Sequence, residues 1–369
     1  MKVKEKGYLT VVTQEGRLEF SSEIERTVLN LLTDNGINDI AAPCGGNGLC
    51  GKCIVQLLEG EASPPDEDEK RLLTPQQLDD GVRLACRMRL PVGGRASISL
   101  LNLESEAQVV TTFLSGTEKE VGRRDVAENS YGCAIDIGTT TVVVYLVRLD
   151  TQEIIDNRSQ MNPQRVFGGD VISRIQYSEE SEGGLEQLQK AIARQLSTMI
   201  DQLLESSAIA PDRLKEIVVV GNPTMAHLLL GANPSSIAYA PFLPLFTEPR
   251  QEEASQFGFN QGAKLILPGL VSGYIGSDVT VGLLATGVLE RQAKVLYIDI
   301  GTNGEIALWD GSKLYCCSSA AGPAFEGASI RQGLGAIPGA IDRIWAGQDG
   351  EVASSTISGE PAKGICGSA

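Results

Sequence analysis

The chain has 369 residues, enough for two or more domains with buried cores. Its 47 Asp and Glu against 31 Lys and Arg leave a net charge of −16, which argues against nucleic acid or an anionic membrane as a partner, since both need a basic face. The first six residues have no apolar run behind them and no window approaches a membrane span, so neither a signal peptide nor a spanning helix is expected.

The eight cysteines, four of them in metal-type spacing, suit a reducing cytoplasm better than a disulfide scaffold. Residues 8–13 read as a strand, Gln14-Glu15-Gly16 as a turn and Arg17–Phe20 as the returning strand. Ile24, Val28, Leu31 and Leu32 recur at helical spacing, and Gly36 stops that helix. Cys44-Gly-Gly-Asn-Gly-Leu-Cys50-Gly-Lys-Cys53 follows, and Cys86 comes 33 positions after Cys53. Three close thiolates and one distant make the ligand set of a 2Fe–2S ferredoxin loop, with one residue more than the plant-type spacing in the first gap. The glycines permit positive φ and let amide N–H groups approach the sulfurs.

Three other readings of this loop fall short. Structural zinc takes two C-x2-4-C pairs, and only Cys50 and Cys53 form one. Gly46-x-Gly48-x-x-Gly51 follows Ala-Ala-Pro rather than a strand, so the dinucleotide fingerprint lacks its context. Gly46-x4-Gly51-Lys52 is nearly a P-loop, but Cys53 stands where Ser or Thr would hold magnesium.

A strand is expected at Ile54–Leu58, polar surface over Pro64–Lys70, the fourth thiolate after Leu84-Ala85, and a closing strand at Ala96–Leu100. Strands, one crossing helix and a cysteine loop resemble the β-grasp ferredoxin fold over about residues 1–100. Residues 101–130 read as a linker, with one strand at Val109–Phe113.

The second domain begins at Tyr131. Asp136-Ile-Gly138-Thr139-Thr140-Thr141 joins two apolar strands, and Asp299-Ile-Gly301-Thr302-Asn303-Gly304-Glu305 repeats the pattern 163 residues later. Such a turn suits a nucleoside triphosphate: glycine admits backbone N–H groups to the phosphate, hydroxyls donate to it, and the aspartate holds Mg2+ or its waters. One Asp-x-Gly-Thr could be ordinary hairpin chemistry, but two in matching strand contexts are more specific.

Leu185 to Leu203 forms an amphipathic helix between the copies, Ile217–Val220 a strand, and Gly221-Asn222-Pro223-Thr224 opens a helix through Leu230. His227, the only histidine, reads as a packing residue, which makes Ser-His-Asp or Cys-His catalysis improbable. Pro234–Pro249 is irregular or a contact surface, and Leu265–Leu270 leads to an apolar helix at Val279–Leu289 with Ser277 as its N-cap. Gly322 lies in a small-residue loop that would let the chain pass close to a ligand, and Gly333–Gly339 continues in that style. Cys133, Cys316, Cys317 and Cys366 are expected as small buried residues.

The paired hairpins resemble the phosphate motifs of the acetate and sugar kinase, heat-shock chaperone and actin (ASKHA) superfamily. Preceded by a 2Fe–2S ferredoxin, they resemble the reductive activators of corrinoid-dependent enzymes. Gly221-Asn-Pro-Thr-Met, Leu267-Pro-Gly-Leu, Asp299–Glu305 and Ala321–Gly327 all look like that family. The resemblance implies an α+β chain: a β-grasp domain (1–100), a linker (101–130) and an actin-like, ribonuclease H-like nucleotide domain (131–369). The family continues beyond Gly364-Ile-Cys-Gly-Ser, so the second lobe is expected to be incomplete.

The implied function is ATP-dependent reduction of Co(II) to Co(I) in a corrinoid protein, with electrons passing through a 2Fe–2S cluster held by Cys44, Cys50, Cys53 and Cys86. ATP with Mg2+ would sit on Gly138, Thr139, Thr140, Thr141, Asp299, Gly301, Thr302, Asn303, Gly304 and Gly322. Asp136 and Glu305 would activate water. A corrinoid protein, a low-potential electron donor and a second copy of the chain are the implied partners. The rivals are an ATP-coupled injector for a non-corrinoid metalloenzyme, a redox-regulated small-molecule kinase, and a non-catalytic electron-transfer module.

Overall fold

The computed structural model describes residues 6–13, 16–37, 40, 42, 46, 48, 51–101, 127–259, 262–301, 303–320, 333–334, 339–346 and 351–366. Residues 102–126 of the linker, with the strand expected at Val109–Phe113, and the loop with Gly322 lie outside them. The chain divides into two compact units: Met1–Glu104 with Pro163–Tyr177, and Ser105–Asn162 with Ser178–Ala369.

In the first unit, β1 (Gly7–Thr13) and β2 (Gly16–Ser22) form the expected hairpin, and β3 (Arg26–Thr27) leads into helix α1 (Val28–Asp34). Then come β4 (Ile54–Gly60), α2 (Glu67–Leu72), α3 (Pro75–Asp79), β5 (Val82–Leu84), β6 (Arg89–Leu90) and β7 (Arg95–Leu100). The sheet order is β2-β1-β7-β4-β5, with β1 and β7 parallel, as a β-grasp requires. Leu9, Val11, Val28, Leu32, Val55, Leu84, Met88 and Ile98 are buried in its core.

Two expectations fail here. Ile24 is outside the helix and 58% exposed, because Thr27 caps it by accepting from the Asn30 amide and so sets its start at Val28. Pro64–Lys70 is not all surface: Asp66 and Glu69 close a capping box on α2, which turns the Glu69 carboxylate into the interior beside Arg83.

The second unit opens with β8 (Tyr131–Ile137), β9 (Thr141–Arg148) and β10 (Ile154–Met161). Helix α4 (Val171–Glu180) lies across the division between the units in sequence, and α5 (Gly184–Ser206) follows. Next come β11 (Leu214–Gly221), α6 (Pro223–Leu230), α7 (Ser235–Ala238), β12 (Arg250–Glu253), β13 (Lys264–Leu267) and α8 (Ser277–Ala285). The six strands are ordered β10-β9-β8-β11-β13-β12, with β11 parallel to both β8 and β13. An antiparallel meander continued by parallel strands is the ribonuclease H-like arrangement. Helix α5 buries Leu188, Ile192, Leu196, Met199, Ile200 and Leu203, each contributing roughly 1.5–3 kcal/mol.

A second meander follows, β14 (Val295–Ile300), β15 (Asn303–Trp309) and β16 (Leu314–Ala320). Val279 and Leu283 of α8 pack under it with Ile275, Val288 and Ala307. β17 (Gly333–Leu334), β18 (Ala340–Ala346), β19 (Val352–Thr356) and β20 (Gly364–Cys366) form a last sheet. The helix expected over Val279–Leu289 ends at Ala285, and Gly287 with φ +63° turns the chain into a short 3-10 segment. Cys133 and Cys366 are buried as expected, but Cys317 is exposed because strand alternation turns it away from Cys316.

His227 is fully buried and satisfied. The Leu245 amide donates to its Nε2 at 3.0 Å, which leaves Nδ1 as the protonated nitrogen that donates to the Pro223 carbonyl at 2.6 Å. Burial foremost, then Arg250, lowers its pKa, against the Pro223 bond. A folded-state pKa below the unfolded 6.5 gives stability present above that value and lost as pH falls through the lowered one. Acidification is therefore expected to release Leu245 first: its amide exchange at pH 5 should rise relative to its neighbours. Unchanged relative protection would show that the imidazole does not hold this loop.

Candidate functional site

In the first unit, Gly46, Gly48 and Gly51 all have positive φ, +82°, +70° and +67°. A methyl group on Gly48 would collide with the Arg87 guanidinium, which pairs with Asp68. Cys53 and Cys86 are buried, and the Ala85 amide donates to the Cys53 carbonyl at 2.8 Å, so the two thiol-bearing segments are tied together. Cys44 and Cys50 lie outside the described residues. Two buried thiols beside a loop of left-handed glycines fit a thiolate-bound cluster wrapped by backbone.

In the second unit, each expected phosphate hairpin closes tightly. The Gly138 amide donates to Thr141 O and the Gly301 amide to Asn303 O, both at 2.9 Å. At Gly138 a side chain would meet Thr141 O at 2.8 Å, so this position needs glycine. Asn162 fastens the first turn twice: its Nδ2 donates to Gly138 O and its amide to Thr140 O, each at 2.7 Å. Asn303 and Gly304 open β15, while Thr302 and Gly322 lie outside the described residues.

Asp299 stands directly opposite Glu305 across the second hairpin. Like charges in that position are destabilising, so this pairing marks a place where a bound cation would be welcome. Burial, then Asp278 and Asp299, pushes Asp136 up to about 7, although the residue as a whole is exposed to solvent. Glu305 is likewise pushed up to about 7 by burial, Asp278 and Asp299, with Ser318 donating to it at 3.3 Å. Asp278 is raised to about 6, chiefly by burial, and Tyr297 to about 12, with burial first and Asp299 next.

The structure thus brings Asp136, Asp299 and Glu305 into one electrostatic group and adds Asp278, which the sequence reading missed. Among the described residues no three His, Cys, Asp or Glu are grouped so as to hold a metal ion by themselves.

Ser277 is not the N-cap of α8. Gly276 takes that position, and the Ser277 hydroxyl instead donates to Gly221 O at 3.2 Å and accepts from its amide at 3.1 Å. A signal for this region existed in the sequence. Gly221-Asn222 ends a strand parallel to β8, and ligands of open α/β sheets bind outside the carboxyl ends of such strands. No helix among the described residues is long and apolar enough to cross a membrane.

Residues 12–91 match the 2Fe-2S iron-sulfur cluster binding domain, residues 131–291 the RACo middle region, and residues 293–369 the C-terminal domain of RACo, the ASKHA domain. The chain is 34% identical over 306 residues to the corrinoid activation enzyme RamQ of Eubacterium limosum, covering 82% of this chain and 50% of RamQ. It is 29% identical over 222 residues to a [Co(II) methylated amine-specific corrinoid protein] reductase of Methanosarcina barkeri, covering 57% of this chain and 40% of the reductase. It therefore spans about half the length or less of these curated relatives. A solved reductive activator for corrinoid,iron-sulfur protein superposes with a TM-score of 0.62 at 27% identity, over 98% of this chain and 71% of that one. The cluster-binding domain, the middle region and the ASKHA domain stand in one polypeptide in that order, and the chain belongs to the RACo family.

Proposed function

We propose that this chain is the cluster-bearing and nucleotide-binding part of an ATP-dependent reductive activator that converts a Co(II) corrinoid protein to Co(I). The observation that carries the reading is a buried thiol pair, Cys53 and Cys86, beside a loop of left-handed glycines, in the same chain as two Asp-x-Gly-Thr hairpins that carry an acidic group. The names of the relatives supply the corrinoid.

Cys44, Cys50, Cys53 and Cys86 would hold a 2Fe–2S cluster, which supplies one electron at a time to the cobalt. Gly138, Gly301 and Gly304 would let the phosphates of ATP come close to the two turns, the Thr139, Thr140, Thr141, Thr302 and Asn303 side chains would bind them, and Gly322 would let the chain pass close by. Asp136 and Asp299 would orient Mg2+ through its waters. Asp136 and Glu305 would take a proton from the attacking water. Every 59 mV uphill costs a factor of ten for a one-electron couple. ATP can offset that only by binding one state of the complex better than another.

We assign residues 1–100 to the cluster domain, 101–130 to a linker and 131–369 to the nucleotide domain. A cytoplasmic setting, a low-potential donor upstream and a homodimer complete the proposal.

The test is the visible spectrum of a Co(II) corrinoid protein mixed anaerobically with the reduced full-length protein, with and without ATP. Conversion to Co(I) only with ATP is expected. An intact cluster and continued ATP hydrolysis without any change at cobalt would direct the electrons to a different metalloenzyme.

A further inference from the structure

Two guanidinium groups converge on the glycine loop of the first unit. Asp68 pairs with both: its Oδ1 lies 2.8 Å from Arg71 Nη2, and its Oδ2 pairs with Arg87 Nη2. Arg71 Nη2 also donates to Gly48 O at 3.4 Å, and a Cβ on Gly48 would come within 2.6 Å of Arg87 Cζ. Gly48 is buried, and its lack of a side chain is what lets the Arg87 guanidinium lie against the backbone there. Two positions earlier, a Cβ on Gly46 would stand 3.8 Å from the Cys86 Cβ. The loop is thus laid along the Cys86-Arg87 dipeptide, one glycine against the thiol-bearing carbon and the next against the cation. Arg87 Nε lies 3.6 Å from Asp66 Oδ2, too far for a hydrogen bond, and this buried N–H has no hydrogen-bond partner among the described residues.

We propose that Arg87 is a positioning residue for the iron–sulfur centre: braced by Asp68 against Gly48, it holds a positive charge and a spare N–H beside the Cys86 end of the loop, and so favours the reduced cluster. Reduction adds one electron, and with it one negative charge, to the cluster. Net charge and hydrogen bonding around the sulfurs set the potential of such a centre, and a neighbouring cation shifts it upward. The assignment rests on the reading of Cys44, Cys50, Cys53 and Cys86 as the cluster's thiolates. A plain surface ion pair would stabilise the fold slightly and leave the potential where it is, which separates the two roles.

Three substitutions address the charge and one controls for it. Arg87→Gln removes the charge, and Arg87→Lys keeps it without the planar fork. Asp66→Asn removes one of the two carboxylates that offset Arg87, while asparagine still caps α2. Arg89→Gln makes the same charge change two residues further on, at a side chain that is 54% exposed and pairs with Glu25.

The experiment is a spectroelectrochemical titration of the cluster in the full-length protein, with a thermal unfolding curve for each variant. Arg87→Gln is expected to lower the ratio of reduced to oxidised cluster, at a fixed solution potential, by about threefold to tenfold, the tenfold end being a fall of about 59 mV in midpoint. Arg87→Lys should lower it less, Asp66→Asn should raise it, and Arg89→Gln should leave it near wild type. A wild-type midpoint in Arg87→Gln, or an equal fall in Arg89→Gln, would overturn the assignment. Should Arg87→Gln retain no cluster, Asp66→Asn carries the test, and a midpoint that fails to rise would overturn it. A wild-type protein that takes up no cluster would instead remove the cluster reading, and this assignment with it.

Discussion

Glu69→Ala is expected to remove about 3–5 kcal/mol of stability from the first unit and to release the cluster, because it leaves a buried guanidinium without its counter-ion. Glu69 is fully buried and Arg83 is 5% exposed by side chain. The Arg83 Nε donates to Oε1 at 2.9 Å and its Nη2 to Oε2 at 2.7 Å, a bidentate pair. Oε1 also accepts from the Leu84 amide at 2.9 Å, and Arg83 Nη1 donates to Ser63 O at 2.8 Å. Leu84 opens the segment that carries Cys86, so this carboxylate anchors one side of the cluster loop. Urea unfolding followed by cluster absorbance and by circular dichroism checks it, both midpoints falling together. A joint replacement of Glu69 and Arg83 by methionine should cost far less than either single change, since the desolvation cost of the charges then disappears too. A Glu69→Ala midpoint at the wild-type position would show that the pair contributes no stability.

Asp136→Asn should have two opposite effects. ATP turnover is expected to fall by about a hundredfold or more if this carboxylate holds the metal shell or takes the proton. Thermal stability without nucleotide is expected to rise at pH 8. The sign follows from linkage. The folded-state pKa is raised from 3.8 to about 7, so the associated stability is present below 3.8 and lost as pH rises through 7. Wild type therefore carries an unfavourable ionisation at pH 8 that asparagine lacks, while at pH 3 the two proteins should unfold alike. Mg–ATP should relieve the same repulsion, so wild-type affinity should rise between pH 6 and pH 8 with proton release, read as a buffer-dependent binding enthalpy. A stability gap independent of pH would sink the electrostatic account. Unaltered turnover would remove Asp136 from the chemistry.

Local order made much of this molecule readable. The Asp-x-Gly-Thr turns lie between alternating strands, and their hydrogen bonds run between residues two or three apart, so nearby sequence specifies them. The glycines of the cysteine loop needed positive φ and have it at positions 46, 48 and 51. Helix α5 follows from its apolar period, and His227 was correctly read as a packing residue. The ferredoxin and ASKHA identities rest on such local motifs; residues 12–91 match the 2Fe-2S domain and residues 293–369, with the second hairpin, the ASKHA domain.

The tertiary structure decided what depends on groups far apart in the chain. Glu69 lies in an acidic stretch that reads as surface, and a partner 14 positions later takes it inside. Ser277 reads as a cap by its neighbours, but Gly221, 56 positions away, competes for its hydroxyl and wins. Asp278 carries no motif; parallel strand order brings it within electrostatic reach of Asp136, Asp299 and Glu305. Sequence alone thus determined where the tight Asp-x-Gly-Thr turns and the glycine-rich cysteine loop stand, since those are properties of a few adjacent residues. Which carboxylates share a charge depended on how the chain folds back: Asp136, Asp299 and Glu305 are placed by strand register, where one residue of slip would turn each to the opposite face, and Asp278 by the start of helix α8.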